Sequence, residues 1–204
     1  MAFLYDNLTA VVVGTTVLLI LASLQLRAME LSTAASGQEA ALTQSEEIAT
    51  WMEEDLESMG RHIMTTDTVF GGLSRTKNEA SPTDSVLTGL SFQYKENAGG
   101  AAQTVQYDVS AVKTDRVEGK DRTLYQLSRT KGGASAGRTP EMLGYIDVQF
   151  LDRTAAAISA PRANTDQIEA LRVHFSVISP YRNSKSGVKE VHRMVAFPYT
   201  PAQN

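Results

Sequence analysis

Six acids crowd twelve positions in the first third of the chain: Glu46, Glu47, Glu53, Glu54, Asp55 and Glu57. Paired carboxylates can pass a proton or hold a calcium ion, but at this density on a helical pattern they read as a solvated helix face. A third role is complementarity. Residues 1–64 carry nine acids and two bases, a net −7, and residues 65–204 carry 14 acids and 17 bases, a net +3. An acidic stem can therefore meet a basic head, in the same or a neighbouring subunit. The histidines His62, His174 and His192 have no second ligand type at a metal-site spacing such as HxxxH. His174 lies between Val173 and Phe175 and faces away from both if that segment is a strand. Asp115, Glu118 and Asp121 surround Gly119; they offer calcium ligands, but their spacing departs from the EF-hand and suits a hairpin tip. Lys131 and Arg138 flank the small residues of TKGGASAGR without the strand–loop–helix context that aims backbone N–H groups at a phosphate. A surface loop is the expected structure there. No nucleophile elbow, P-loop or dinucleotide fingerprint occurs. With no Cys, thiolate metal sites, disulfides and a cysteine nucleophile are excluded. The expectation is a protein that is not an enzyme, with no catalytic residue, no cofactor and no metal site. Its net charge of −4 argues against nucleic acid as the main partner.

What, then, are these residues mounted on? No charge occurs between Asp6 and Arg27, and the intervening 20 residues would span about 30 Å as a helix, matching a bilayer core. Thr9, Thr15, Thr16 and Ser23 can bond back to the preceding turn, which lowers the cost of insertion. A signal peptide would need a basic start and a small-residue cleavage site, and neither is clear. Residues 1–28 read as a single membrane-spanning helix, with a buried core helix as the competing reading. Arg27 alone would place the C-terminus in the cytoplasm, so charge does not decide the orientation.

Residues 29–64 continue as an amphipathic stem. Ile48, Met52, Leu56, Met59 and Ile63 recur at spacings of four, four, three and four, one apolar stripe for docking on a head. Residues 31–45 are instead rich in Ala, Ser and Thr, a bare stretch that makes sense if copies of the chain or a membrane cover it. One helix from about Leu4 to Met64 would be roughly 90 Å long. Any break is expected near Gly14 or within 31–45, where intrinsic support is weakest.

Residues 65–85 are polar and read as a connector. Residues 86–204 then alternate with period two and read as a β head. Expected strands carry Leu90, Phe92 and Tyr94; Val105, Tyr107, Val109 and Ala111; Leu124–Ser128; Ile146, Val148 and Phe150; Leu171, Val173, Phe175 and Val177; and Val191, Val195 and Phe197. A loop is expected over Asp115–Arg122. Short connections favour an antiparallel meander whose apolar face the stem covers. The fold class is α+β, a long N-terminal helix packed on an antiparallel sheet.

An apolar N-terminal helix, an amphipathic stem and an antiparallel sheet together resemble the type IV pilin-like superfamily, above all minor pilins and the J-type pseudopilins of type II secretion. Ala49–Gly60 is similar to the family's Asp-Leu-x-x-x-Gly stem ending, with Asp55, Leu56 and Gly60 at the matching places. Gly144–Phe150 and Ala170–Val177 look like its late strands. The family's precursors carry a basic leader ending in Gly, then a mature residue that is often Phe, with Glu fifth. This sequence begins at Met1; if Met1 is removed, Ala2 leads and Asp6 is fifth. Two roles are open to Asp6: pairing with a neighbouring subunit's terminal amine inside an apolar core, or acting as a helix N-terminal acid favoured by the macrodipole.

The resemblance implies a structural subunit of a pilus-like filament or pseudopilus. Its assembly surface would comprise Asp6, Val11, Val12, Gly14, Leu18 and Leu21, and its stem–head dock Ile48, Met52, Leu56, Met59 and Ile63. Its partners would be further pilin-like subunits, membrane lipid before assembly, and pilus or secretion machinery. It would be a single-pass membrane protein first and an extracellular filament or periplasmic pseudopilus afterwards. The alternative is a membrane-anchored envelope protein whose head binds a partner in a transport or assembly complex.

Overall fold

An unbroken helix, α1 (Ala2–Leu56), leads the chain. The computed structural model describes residues 2–63, 69–77, 85–117, 120–180 and 190–199, and the side chains of all of these but 2–6, 117 and 120. At 1.5 Å per residue α1 is about 80 Å long. It passes through Gly14 and residues 31–45 without interruption. Hydroxyl groups bond back as the sequence suggests: Thr15 Oγ1 donates to the Val11 and Val12 carbonyls at 2.9 Å, Thr16 to Val12 at 2.8 Å and Ser23 to Ile20 at 2.8 Å. The polar side chains of the apolar half thus need no outside partner for these donors.

The helix stops at Leu56, short of the expected Met64, which lies outside the described residues. Its last turns tighten: the N–H of Ser58 donates to Asp55 O and that of Met59 to Leu56 O, while Ser58 Oγ takes the same Asp55 carbonyl at 2.7 Å. Gly60 then adopts φ +73°, a left-handed conformation that ends helices and suits glycine. Its N–H donates to the carbonyl of Gln93 at 3.0 Å, so the chain leaves the helix by joining the sheet. The apolar spacing through Met59 and Ile63 survives because both side chains enter the core from the turn; they are 1% and 4% exposed.

Eight strands follow: β1 (Phe70–Lys77), β2 (Ser85–Tyr94), β3 (Gln103–Val117), β4 (Lys120–Lys131), β5 (Ala134–Arg138), β6 (Leu143–Leu151), β7 (Ala170–Ile178) and β8 (Glu190–Pro198). They form one antiparallel sheet in the order β1-β2-β3-β4-β6-β7-β8, with β5 paired to the same side of β4 as β6. The protein is therefore a long helix on an antiparallel meander.

Three segments differ from expectation. The stretch expected as a polar connector, 65–85, contains β1, whose register puts Leu73 against Leu90 and Phe70 against Phe92. Its polar residues alternate with few large apolar ones, so the period-two signal is faint. The expected loop Asp115–Arg122 is instead the end of a long hairpin, paired down to Val117 and Lys120. The Gly-rich stretch after Lys131 is a second hairpin, turned by Gly132 and Gly133 at φ +58° and +82°, with β5 as its return strand.

The sheet curls. Three strands separate β1 from β6 in its order, yet Arg75 on β1 donates its Nε to Asp147 Oδ1 at 2.8 Å and its Nη2 to the Val148 carbonyl. Phe70 and Phe150 meet edge to face at 4.8 Å. Among the described residues β6 is paired in register with β4 at Leu143 and Tyr125 alone, and its edge beyond that point receives this guanidinium. The inner face is mostly apolar, with Phe92, Tyr107, Phe150 and Phe175 fully buried in one core with the docked half of α1.

Candidate functional site

Helix α1 presents two surfaces. Its second half is docked. Ile48, Met52 and Leu56 are buried in the main core, together with Ala41 and Ala49. The buried face runs further back than the large apolar residues do: Ala34, Gly37, Ala41, Gln44 and Ser45 are also buried within the chain. The small-residue stretch 31–45, expected to lie against copies or a membrane, thus lies partly against the chain itself, from Ala34 onward. Small side chains let a helix lie close to what covers it. Elsewhere in residues 31–45 the helix is exposed, at Leu31, Ser32, Thr33, Ala35, Ser36, Glu39, Ala40, Leu42 and Thr43.

At the centre of the dock is a charge. Asp55 is fully buried, and Arg129 of β4 grips it with two bonds, Nε to Oδ2 at 2.7 Å and Nη2 to Oδ1 at 2.6 Å. Tyr107 of β3 donates its hydroxyl to Oδ2 at 2.5 Å and stands 3.2 Å from the Trp51 carbonyl. The guanidinium lies 5.8 Å from the Trp51 ring centre. Lys131 Nζ stands 3.9 Å from Asp55 Oδ1 and 5.1 Å over the Tyr94 ring. Tyr107 and Arg129 are cross-strand partners, which is why both reach one carboxylate. Burial, then the Asp55 charge, pushes the Tyr107 hydroxyl far above its ordinary value. The Asp55 hydrogen bond likewise raises the Arg129 guanidinium.

Asp55 therefore leaves the set of solvated acids. Glu46, Glu47, Glu53, Glu54 and Glu57 remain exposed. At Asp55, and more loosely at Glu54, whose carboxylate lies 3.8 Å from Arg129 Nη2, acidic stem does meet basic head inside one subunit. Neither Arg129 nor Tyr107 stands out in the sequence as a site residue. The available signal is positional: Arg129 falls two residues after Leu127, at an inward register where a cation demands a buried partner.

The first half of α1 is bare. From Asn7 to Thr33 every residue is exposed, with Leu18 at 66% and Val11 at 62%. Val12, Gly14 and Leu21 lie in the same exposed stretch, and the side chain of Asp6 is outside the described residues. The helix is long and apolar enough to cross a membrane.

The remaining chemistry-bearing residues stay apart. His174 and His192 lie on adjacent strands with ring centres 6.4 Å apart, and Tyr145 packs edge-on against His174 at 5.3 Å. Among the described residues no group of three or more His, Asp or Glu side chains can hold a metal ion. Glu118 and Gly119 of the calcium possibility lie outside the described residues. Lys131 serves the dock, and Arg138 is exposed on β5. No protein-family model, curated protein or solved structure matches the chain.

Proposed function

We propose that the chain is a structural subunit of a type IV pilus-like filament or pseudopilus, inserted in a membrane through residues 7–26 before assembly and displaying its β head outside the helical core. One observation carries this reading: a single rigid helix is locked to the head along one half and fully bare along the other. Apolar burial releases about 25 cal/mol per Å² against water, so such a surface demands a bilayer or other helices. A rigid junction lets many bare helices gather while the heads keep a fixed attitude. The layout and the Asp55-Leu56…Gly60 ending resemble the pilin-like superfamily, and here that ending is where helix, charge lock and sheet join.

In this reading Asp6 neutralises a neighbour's terminal amine, since a lone carboxylate in an apolar core would be costly. Negative-stain microscopy of material sheared from expressing cells tests the proposal. Filaments should be present with the native chain, sparse with Asp6→Ala and nearly normal with Asp6→Glu. Normal filaments from Asp6→Ala exclude the charge-pair role. If native cells yield no filament while the protein pellets with membranes, the second reading holds: a bitopic envelope protein whose head binds a partner. The exposed apolar helix alone favours that alternative equally.

A further inference from the structure

Alternating steps of three and four residues trace a line along α1 that crosses its two halves. Its lower part is Ser45, Ala49, Met52 and Leu56, all buried against the head at 1 to 6% exposure. Continued upward by the same steps, the line passes through Leu42, Gln38, Ala35, Leu31, Ala28 and Leu24. There it loses its cover: Leu42, Leu31 and Leu24 are 43%, 62% and 55% exposed. It then enters the apolar run through Leu21, Val17 and Gly14. No charged residue stands on it from Gly14 to Leu56.

A period of 3.5 residues is the signature of a left-handed supercoil, because a straight helix drifts about 20° per heptad away from such a line. The shape that follows it over several turns is another helix. The identity of that helix follows from the anchor. Insertion of residues 7–26 sets every copy at the same height and in the same direction, so identical residues come face to face. Leu31 and Leu42 lie beyond that span, where water makes their burial favourable. In a parallel pair the flanking Arg27 faces Ser32 of the other copy, and Glu39 faces the position of Ala34, which its own chain already covers, so no like charges oppose. Gln38, half-buried, is the one polar residue on the line between Leu24 and Leu42, placed to bond its twin and fix the register. Leu42 is turned by about 100° from the docked Ala41, which directs the two heads to opposite sides of the pair, and the contact ends at Leu42 because Ser45, next on the line, is buried against the head.

We infer that residues 24–42 of α1 form a parallel, in-register helix pair with the same segment of a second copy. The pair needs the membrane anchor but no filament, so its fate and that of the filament are measured separately.

Because the native chain has no Cys, single cysteines in the full-length protein read this geometry directly. Leu31→Cys and Ala35→Cys lie on the line; Thr33→Cys and Ala40→Cys lie on the exposed opposite flank. Oxidation with copper phenanthroline in native membranes should give roughly tenfold more disulfide dimer from the first two, since Cα atoms beyond about 7 Å cannot be bridged. With two differently tagged copies, Leu24–Leu24 and Leu31–Leu31 links should exceed the mixed Leu24–Leu31 link. Equal cross-linking on both flanks, or none on the line, overturns the inference. A dominant mixed link overturns the register and leaves only a staggered, polymer-like contact.

Discussion

The two halves of α1 obey one backbone geometry and two solvents. Between Ala34 and Leu56 the helix is amphipathic in the ordinary sense, with one face on the sheet and an acidic face in water. Between Asn7 and Thr33 no face is buried, and over residues 7–26 no side chain on any face carries a charge. A helix that is hydrophobic on every side without a core around it belongs in a bilayer or a bundle. The contrast teaches that the dock is a problem of stability and the bare half a problem of association. Substitutions should separate the two.

The largest effect is expected at the charge lock. Arg129→Met leaves Asp55 buried without its guanidinium, and breaking such a pair costs about 3–5 kcal/mol. Urea unfolding followed by the single tryptophan, Trp51, measures it. Replacing the whole trio by Leu, Met and Phe at 55, 129 and 107 should recover most of the loss. If Arg129→Met alone changes nothing, the lock does not hold the stem.

Next in size is the comparison of two leucines. Leu56→Ala should destabilise the head by about 2–5 kcal/mol, the usual range for a fully buried leucine. Leu18→Ala, at 66% exposure in the bare half, should leave the unfolding curve unmoved. Equal effects at the two sites would erase the distinction between the halves.

A smaller loss is expected where β5 meets the helix. A Cβ on Gly137 would lie 2.7 Å from the Trp51 ring, so Gly137→Ala must displace the indole or the hairpin. Overpacking of this kind costs about 1–3 kcal/mol. The emission maximum of Trp51 should shift to the red in the folded state, and an unchanged spectrum would show that the ring has room.

The smallest effects are in pH. The Tyr107 hydroxyl and the Arg129 guanidinium are both raised, so their contribution is fully present below the ordinary tyrosine value of 10.0 and fades only as pH climbs above it. Asp152 behaves oppositely. Its carboxylate accepts from Thr154 Oγ1 at 2.7 Å and from the N–H groups of Thr154 and Ala156, which lowers its pKa. The order it lends to residues 152–156 is present above the usual aspartate range and lost as pH falls through the lowered value. Protection of the Ala156 amide, relative to an unstructured amide at the same pH, should fall on acidification in the native chain and be absent at all pH in Asp152→Ala. The dock should not respond on the acid side to that substitution.

Much of this layout was legible. Period-two runs marked β2, β3, β6 and β7 because alternate large apolar residues of those strands, such as Leu90, Phe92, Val105, Tyr107, Ile146, Val148, Val173 and Phe175, are buried in the core. The four-and-three spacing of Ile48 to Ile63 marked the dock even past the helix end, since Met59 and Ile63 stay buried in the turn. Strand β1 was hidden because FGGLSRTK has glycine and serine where a strand usually shows large residues. The dock's upper part was hidden for a related reason. Ala34, Gly37 and Ala41 carry almost no hydropathic signal, and their use is close approach. Asp55 was hidden by its company, since the three glutamates within two positions of it, Glu53, Glu54 and Glu57, are solvated.

Amide hydrogen exchange of the full chain and of a chain beginning at residue 29, both in the same detergent, tests the division of α1 most directly. If the bare half contributes nothing to the fold, residues 34–63 and the strands should show the same protection in both. Loss of protection at Ile48–Leu56 or in β7 and β8 upon removal of residues 1–28 would show that the first half holds the head together, and would contradict the account.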